Sequence, residues 1–326
     1  MPNTDRRSLG PLTVSSQGFG CMGLSHVYGQ ADEAESLKTL DRAVELGITF
    51  FDTADIYGSG HNETLLAKAI KGRRDKLVIA SKFGNRLDRE QSGRSLDGRP
   101  EYVRQAVEAS LKRLGIDHID LHYLHRLDPQ TPIEDTVGEL SRLKAEGKIG
   151  AIGLSEVDSA ILVRAHAVHP IAALQSEYSL WTREVEDDIL PTARALGIGF
   201  VAYSPLGRGF LAGAGPVEEN DRRRQHPRYQ AEAVDANSVR RAAAEKVAER
   251  LGVTVAQVSL AWVLSKGVVP IPGTRHVAHL QANWAAGDLQ LSAADIGELE
   301  AAFPIGSTVG ARYPAGASPV PARAVA

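Results

Sequence analysis

Residues 101–154 read EYVRQAVEASLKRLGIDHIDLHYLHRLDPQTPIEDTVGELSRLKAEGKIGAIGL. Val103, Val107, Leu111 and Leu114 recur at the spacing of one helical face, which predicts a helix over 101–114. Gly115 follows it, where a residue free to take positive φ commonly ends a helix. Residues 119–123 then read as a strand. A second helix is expected over 134–146, ended by Gly147, and a second strand over 149–154. Strands joined in this way through helices run parallel, with right-handed crossovers.

The same unit recurs in both directions. Toward the N-terminus, strands are expected at 17–20, 48–52 and 77–82, with helices at about 31–46 and 63–70. Toward the C-terminus come helix 159–166, strand 171–175, helix 184–196 and strand 198–203. A helical region 238–265 broken at Gly252, a strand 268–271 and helices near 277–286 and 293–302 complete the pattern. Gly47 and Gly197 end two further helices. Eight strands alternating with helices close most naturally into an α/β (β/α)₈ TIM barrel, which commonly runs to 250 residues or more. The 326 residues are therefore read as one domain, 1–326, with long loops on the C-terminal face. Residues 1–16, with alternating Leu9, Leu12 and Val14, are expected to form a hairpin under the barrel. The charged, turn-rich segment 208–236 is expected to be a long mobile loop. The Ala-, Pro- and Gly-rich tail 304–326 is expected to be partly disordered or to lie over the barrel mouth.

Apolar residues at 43% and charged residues at 24% are ordinary globular values. The net charge of -3 is spread along the chain, which argues against a nucleic-acid face or a membrane-surface helix. Cys21 is the only cysteine, so neither an intrachain disulfide nor a Cys-based zinc site can form. No signal-peptide core follows Met1, and no apolar run approaches the roughly 20 residues that span a bilayer. A cytoplasmic setting is expected, with no metal and no defined oligomeric state.

Residues 18–23, GFGCMG, match the dinucleotide fingerprint G-x-G-x-x-G. In that motif the third glycine opens a helix whose N-terminus meets the pyrophosphate. Here residues 24–30 intervene, and Asp52 lies beyond the usual spacing. The stretch is read instead as a glycine-rich first loop at a barrel mouth.

Chemistry on such barrels sits where strands end. The second strand ends in Asp52-Thr53-Ala54-Asp55-Ile56-Tyr57-Gly58, the third in Ser81-Lys82-Phe83 and the fourth in Tyr123-Leu124-His125-Arg126. An acid, a phenol, an ammonium and an imidazole thus converge on one face. The set suits carbonyl reduction, in which the oxygen becomes an alkoxide that must gain a proton. A phenol of ordinary pKa about 10 needs a neighbouring cation to act near neutrality. Lys82 supplies that charge, Asp52 holds Lys82, and His125 donates a hydrogen bond to the same oxygen. His122 competes with His125, since spacing alone does not say where the strand stops.

These stretches, taken together, are similar to the signatures of the aldo-keto reductase family, its bacterial branch included. The resemblance implies a catalytic tetrad of Asp52, Tyr57, Lys82 and His125, and NADPH as cofactor. It further implies that Ser155, Glu156 and Gln175 meet the nicotinamide carboxamide and that Gly20, Met22 and Asp52 also bind the cofactor. Tyr203 would stack on the ring, with Ser204, Pro205, Leu206, Gly207 and Arg208 embracing the pyrophosphate. Gly273, Thr274 and Arg275 would receive the adenosine 2′-phosphate, and His279 and Asn283 would approach the adenine. A guanidinium at Arg275 favours NADPH over NADH. Glu156 stands where many members carry Asn, His279 where Arg or Gln is usual, and Ala282 where Glu is usual. The substrate, a small-molecule carbonyl compound, is expected to meet Tyr28, Phe83 and Arg126, with Met22, His26 and Trp181 also at the rim. Two other functions are compatible with the pattern: a cofactor-binding regulatory subunit with little turnover, and a barrel isomerase or lyase on sugar phosphates. The phenol–lysine pair disfavours the second.

Overall fold

The computed structural model describes residues 5–25, 31–88, 93–213 and 221–314. Strands β1 (Arg6–Leu9) and β2 (Leu12–Ser15) form an antiparallel hairpin. The barrel strands begin with β3 (Phe19–Gly20), β4 (Phe50–Asp52) and β5 (Val78–Phe83). A second antiparallel hairpin, β6 (Asn85–Asp88) and β7 (Gly93–Leu96), leaves the mouth after β5. The barrel continues with β8 (Ile119–Leu124), β9 (Ile149–Ser155), β10 (Ala173–Glu177), β11 (Gly199–Tyr203) and β12 (Val269–Pro270). Among the described residues these eight strands are all parallel, in the order β12-β11-β10-β9-β8-β5-β4-β3. The amide of Gly18 donates to the Pro270 carbonyl at 2.9 Å, and that of Gly20 to Pro272 at 3.4 Å, which closes the ring. The fold is a (β/α)₈ barrel.

Glycine is required at the closure. A Cβ on Gly273 would lie 2.3 Å from the Gly20 carbonyl oxygen, and one on Gly20 would lie 2.7 Å from that of Ile271. Both glycines, expected at the cofactor, thus have a structural reason of their own.

Side chains alternate across each strand, so residues two apart share a face. Phe50, Ala80, Leu121, Tyr123, Ala151, Ala173, Val201 and Val269 fill the barrel interior with Leu9 and Val14 of the hairpin. Phe19, Phe51, Ile79, Ile152, Leu154 and Leu174 point outward into the layer beneath the helices. Gly153 admits the ring of Tyr123, since a Cβ there would meet its Cδ1 at 2.3 Å. Two positions above the apolar layer, on the same inward face, stand Asp52, Lys82, Ser155, Gln175 and Tyr203.

The described residues of the segment 208–236 differ from the expected mobile loop. They hold short turns at Arg222–Gln225 and Pro227–Tyr229, and the following helix starts at Ala231, seven residues before the expected 238. Ion pairing and burial order it: Arg223 pairs with Asp221 at 2.6 Å, and the Tyr229 hydroxyl donates to the Gly207 carbonyl at 2.8 Å. The described part of the tail, 304–314, packs against this helix and the segment before it. Asn237 exchanges two hydrogen bonds with the Val309 backbone, at 2.9 and 3.0 Å, and Thr308 donates to the Trp181 carbonyl at 2.8 Å. The expected helix 184–196 divides into a turn at Glu184–Glu186 and a helix over Ile189–Ala195.

Candidate active site

Asp52 ends β4, and Lys82 is the fifth residue of β5. Neither side chain reaches solvent, and the Lys82 ammonium is bonded directly to the Asp52 carboxylate. Lys82 also donates to the Thr53 carbonyl at 2.8 Å and to the Tyr57 hydroxyl at 3.4 Å. Gln175 holds the second oxygen of Asp52 from across the barrel at 2.8 Å. Its pairing therefore leaves the ammonium one face, and that face meets the phenol. A buried ion pair is tolerated only when its remaining donors and acceptors are satisfied in this way.

Tyr57 lies in the loop after β4, where its ring stands edge-on to that of His125, 5.9 Å between centres and at 85°. The backbone amide of His125 donates to the Phe83 carbonyl at 2.8 Å, which fixes the loop after β8 against the end of β5. Burial pushes the Tyr57 phenol above its ordinary value, with Lys82 pulling it the other way. The net direction is the reverse of the lowering anticipated from the sequence. The phenol is a neutral O–H donor, beside a cation placed to stabilise the phenolate left when its proton moves.

His122 is excluded from this chemistry by the face it occupies. It is wholly buried on the outer side of β8, stacked on Phe83 with ring centres 5.3 Å apart and planes at 3°. Burial lowers its pKa to about 3, so its imidazole is neutral at physiological pH. Phe83, expected at the substrate rim, is corrected by the same contact: it belongs to the layer beneath the helices. Trp181 is likewise buried, stacked on Phe210 at 4.0 Å beneath Gly207. His26 and Tyr28 lie outside the described residues.

The residues expected at a cofactor line the same mouth. Ser155 ends β9 and Gln175 lies in β10, both at the rim beside Asp52, while Glu156 takes a positive φ of 55° and its amide donates to the Gln175 carbonyl at 3.0 Å. Met22 lies in the turn Cys21–Leu24 after β3. After Tyr203, the stretch Ser204-Pro205-Leu206-Gly207-Arg208-Gly209 passes through positive φ at Ser204, Gly207, Arg208 and Gly209. Successive turns of this kind present backbone N–H groups to an anion. Beyond β12, Thr274 and Arg275 lead into helix Val277–Ala285, whose N-terminus has no side-chain cap. An uncapped helix start beside a guanidinium is suited to a phosphate. His279 is exposed on this helix and Asn283 buried. A long ligand with a pyrophosphate at one turn and a terminal phosphate at another fits these residues.

Several side chains of the mouth escaped the sequence reading. Glu177, fully buried, receives both terminal nitrogens of Arg208, at 3.1 and 2.7 Å, and the Thr182 hydroxyl at 2.9 Å. Burial pushes its carboxyl up, but Arg208, Arg312 and Arg228 outweigh burial and hold it at about 2. Arg208, expected to embrace a pyrophosphate, is thus committed to an internal ion pair. From the tail, Arg312 pairs with Glu156 at 2.6 Å, and Tyr313 shares a 2.7 Å hydrogen bond with the Tyr203 hydroxyl. Glu177 stands two residues past Gln175, so strand alternation was the signal for it. A basic–aromatic pair within an Ala/Pro-rich tail was the signal for Arg312 and Tyr313.

An eight-stranded parallel barrel with a buried Asp–Lys pair, a phenol and an imidazole at its mouth defines a barrel oxidoreductase. The family model described as "Aldo/keto reductase family" matches residues 17–303. The chain is 48% identical over 307 residues to "Probable aldo-keto reductase 1" of Glycine max, covering 92% of this chain and 88% of that one. Among solved structures it resembles the glycerol dehydrogenase AKR11B4 from Gluconobacter oxydans, with a TM-score of 0.84 at 27% identity. That match covers 93% of this chain and 97% of the other. It also resembles the holo form of aldo-keto reductase AKR11C1 from Bacillus halodurans, TM-score 0.75 at 28% identity, over 92% and 96% of the two chains. The chain belongs to the aldo/keto reductase family. Members of this family bind nicotinamide cofactors and act on small-molecule carbonyl compounds. Among the described residues no group of metal-ligating side chains is present, and no single helix is long and apolar enough to cross a membrane.

Proposed function

We propose that this protein reduces an aldehyde or ketone to an alcohol with NADPH, with Tyr57 as the proton donor. The observation that carries the reading is the Tyr57 hydroxyl 3.4 Å from a Lys82 ammonium that Asp52 and Thr53 hold in place. NADPH, when bound, supplies the hydride for the carbonyl carbon. Tyr57 gives its proton to the developing alkoxide, and Lys82 stabilises the phenolate that remains. His125 donates a hydrogen bond to the same oxygen and fixes its position against the phenol. Ser155 and Gln175 hold the carboxamide, the Tyr203 ring supports the nicotinamide, and the turn 204–209 carries the pyrophosphate. Arg275 at the start of helix Val277–Ala285 binds the 2′-phosphate and gives the preference for NADPH. Proton transfer is reversible, so the same groups serve alcohol oxidation. A cytoplasmic, reducing setting suits the one buried thiol, Cys21.

Loss of NADPH absorbance with a panel of aldehydes and ketones, run beside NADH, tests this reading. Turnover is expected with NADPH and at least tenfold less efficiently with NADH. NADPH binding without turnover across the panel would overturn the reductase reading in favour of a cofactor-sensing subunit.

A further inference from the structure

Arg126 follows His125 directly, on the loop beyond β8. One of its terminal nitrogens, Nη1, donates to the His125 carbonyl at 2.6 Å and to the Ser155 hydroxyl at 3.2 Å. Those two bonds fix the guanidinium between the proton-donating corner and the strand end expected to meet the cofactor. Its Nε and Nη2 donate to no described residue, and the side chain is partly exposed to the mouth.

Three other arginines of the mouth have carboxylates. Arg208 pairs with Glu177 at 2.7 Å, Arg228 with Glu177 at 3.8 Å, and Arg312 with Glu156 at 2.6 Å. Among the described residues none lies within ion-pair distance of Arg126. The titratable groups near it are instead the phenols of Tyr203, Tyr313 and Tyr57 and the already paired Glu156. Four guanidiniums therefore share two carboxylates, and the unmatched one stands beside Tyr57 and His125. A partly buried charge without a counter-charge is costly. A bound anion would remove that cost, and a guanidinium with Nε and Nη2 open matches a carboxylate through two parallel bonds. The cofactor does not supply this anion: its nicotinamide end is uncharged at the carboxamide, and its phosphates belong to the turn 204–209 and to Arg275.

We infer that Arg126 is a specificity-determining residue that binds a carboxylate of the substrate, and that the preferred substrates are 2-oxo acids or carbonyl compounds with the carboxylate one carbon further away. The short separation follows from chain position. Arg126 adjoins the residue that positions the reacting oxygen, so the anion it binds sits within a few atoms of the carbonyl. This inference rests on the carbonyl-reductase reading for its chemistry, while the anion site itself can be tested without turnover.

The test compares benzoylformate with its methyl ester, which presents the same ketone without the charge. In the wild-type enzyme with NADPH, kcat/KM is expected to favour the acid by about 10- to 100-fold, mostly through KM, as one charge-assisted pair implies. Arg126→Gln should bring the acid-to-ester ratio close to one, and Arg126→Lys should restore part of it. Binding is measured in parallel by calorimetry, titrating mandelate and methyl mandelate into the NADPH-loaded enzyme, where neither can react. Mandelate should bind the wild type at least tenfold tighter than its ester, and Arg126→Gln should abolish the difference. Equal binding of the two would overturn the anion site, while ester turnover would leave the reductase reading standing. Arg126-dependent mandelate binding with no turnover of either ketone would sustain the anion site and sink the reductase reading.

Discussion

The two ends of the barrel are built from the same strands and have opposite chemistry. At the bottom, Leu9 and Val14 of the N-terminal hairpin plug an interior of Phe50, Ala80, Ala173 and Val201. Gly199 lets Leu9 seat there, since a Cβ would stand 2.6 Å from Leu9 Cδ2. Ser15 and Thr49 exchange hydrogen bonds at 2.9 and 3.0 Å, and Arg7 ties the hairpin to the carbonyls of Val268 and Leu264. Two residues higher on the same inward faces, Phe50 gives way to Asp52, Ala80 to Lys82, Ala173 to Gln175 and Val201 to Tyr203. The change from packed hydrocarbon to charge takes a single repeat of the strand. Stability is therefore concentrated below and reactivity above, and substitutions at the two ends should separate the two properties.

Lys82→Met should break the upper end most severely. It leaves Asp52 buried without its cation, and loss of one partner from a buried pair typically costs about 3–5 kcal/mol. Urea unfolding should show that loss together with a collapse of turnover, because Tyr57 loses its neighbouring charge as well. Leu9→Ala should cost a comparable 2–5 kcal/mol through the cavity it opens, yet leave kcat of the folded enzyme unchanged. A fall in kcat without a fall in stability would show that the two ends are coupled.

Much of this arrangement was legible in the sequence. The glycines after helices and the apolar runs gave the eight strands, and the strand ends gave the acid, phenol, ammonium and imidazole. Phe83 was misplaced although it directly follows Lys82, so alternation alone assigns it to the other face. The β6–β7 hairpin carries no apolar alternation in Asn85–Asp88 or Gly93–Leu96, and it left no local signal. Glu177, Arg312 and Tyr313 meet only in three dimensions, through contacts between β10 and a tail more than 130 residues away in the chain. Helix Ala231–Leu251 was shortened because its first turns are stabilised by that same tail, as the Asn237–Val309 pair shows.

Smaller effects sharpen the comparison. Arg275→Ala should reduce the ratio of NADPH to NADH efficiency by about 10- to 100-fold, read from initial rates, with thermal stability unmoved. Glu177 gives the upper end an acid-sensitive component. Its carboxyl is held at about 2 in the folded chain, below the ordinary 4.5. That stabilisation is complete above about pH 4.5 and is lost as pH falls toward 2, since the unfolded chain takes up the proton first. Thermal denaturation across this window should show the loss in the wild type and a shallower dependence in Glu177→Gln.

The central claim is that the phenol held at Lys82 delivers the proton, and Tyr57→Phe tests it most directly because it removes one oxygen and little packing. The account predicts that kcat for carbonyl reduction falls by about 100- to 10,000-fold, with NADPH affinity and thermal stability essentially unchanged. A variant that keeps turnover within tenfold of the wild type would contradict it, and the proton would have to come from another group.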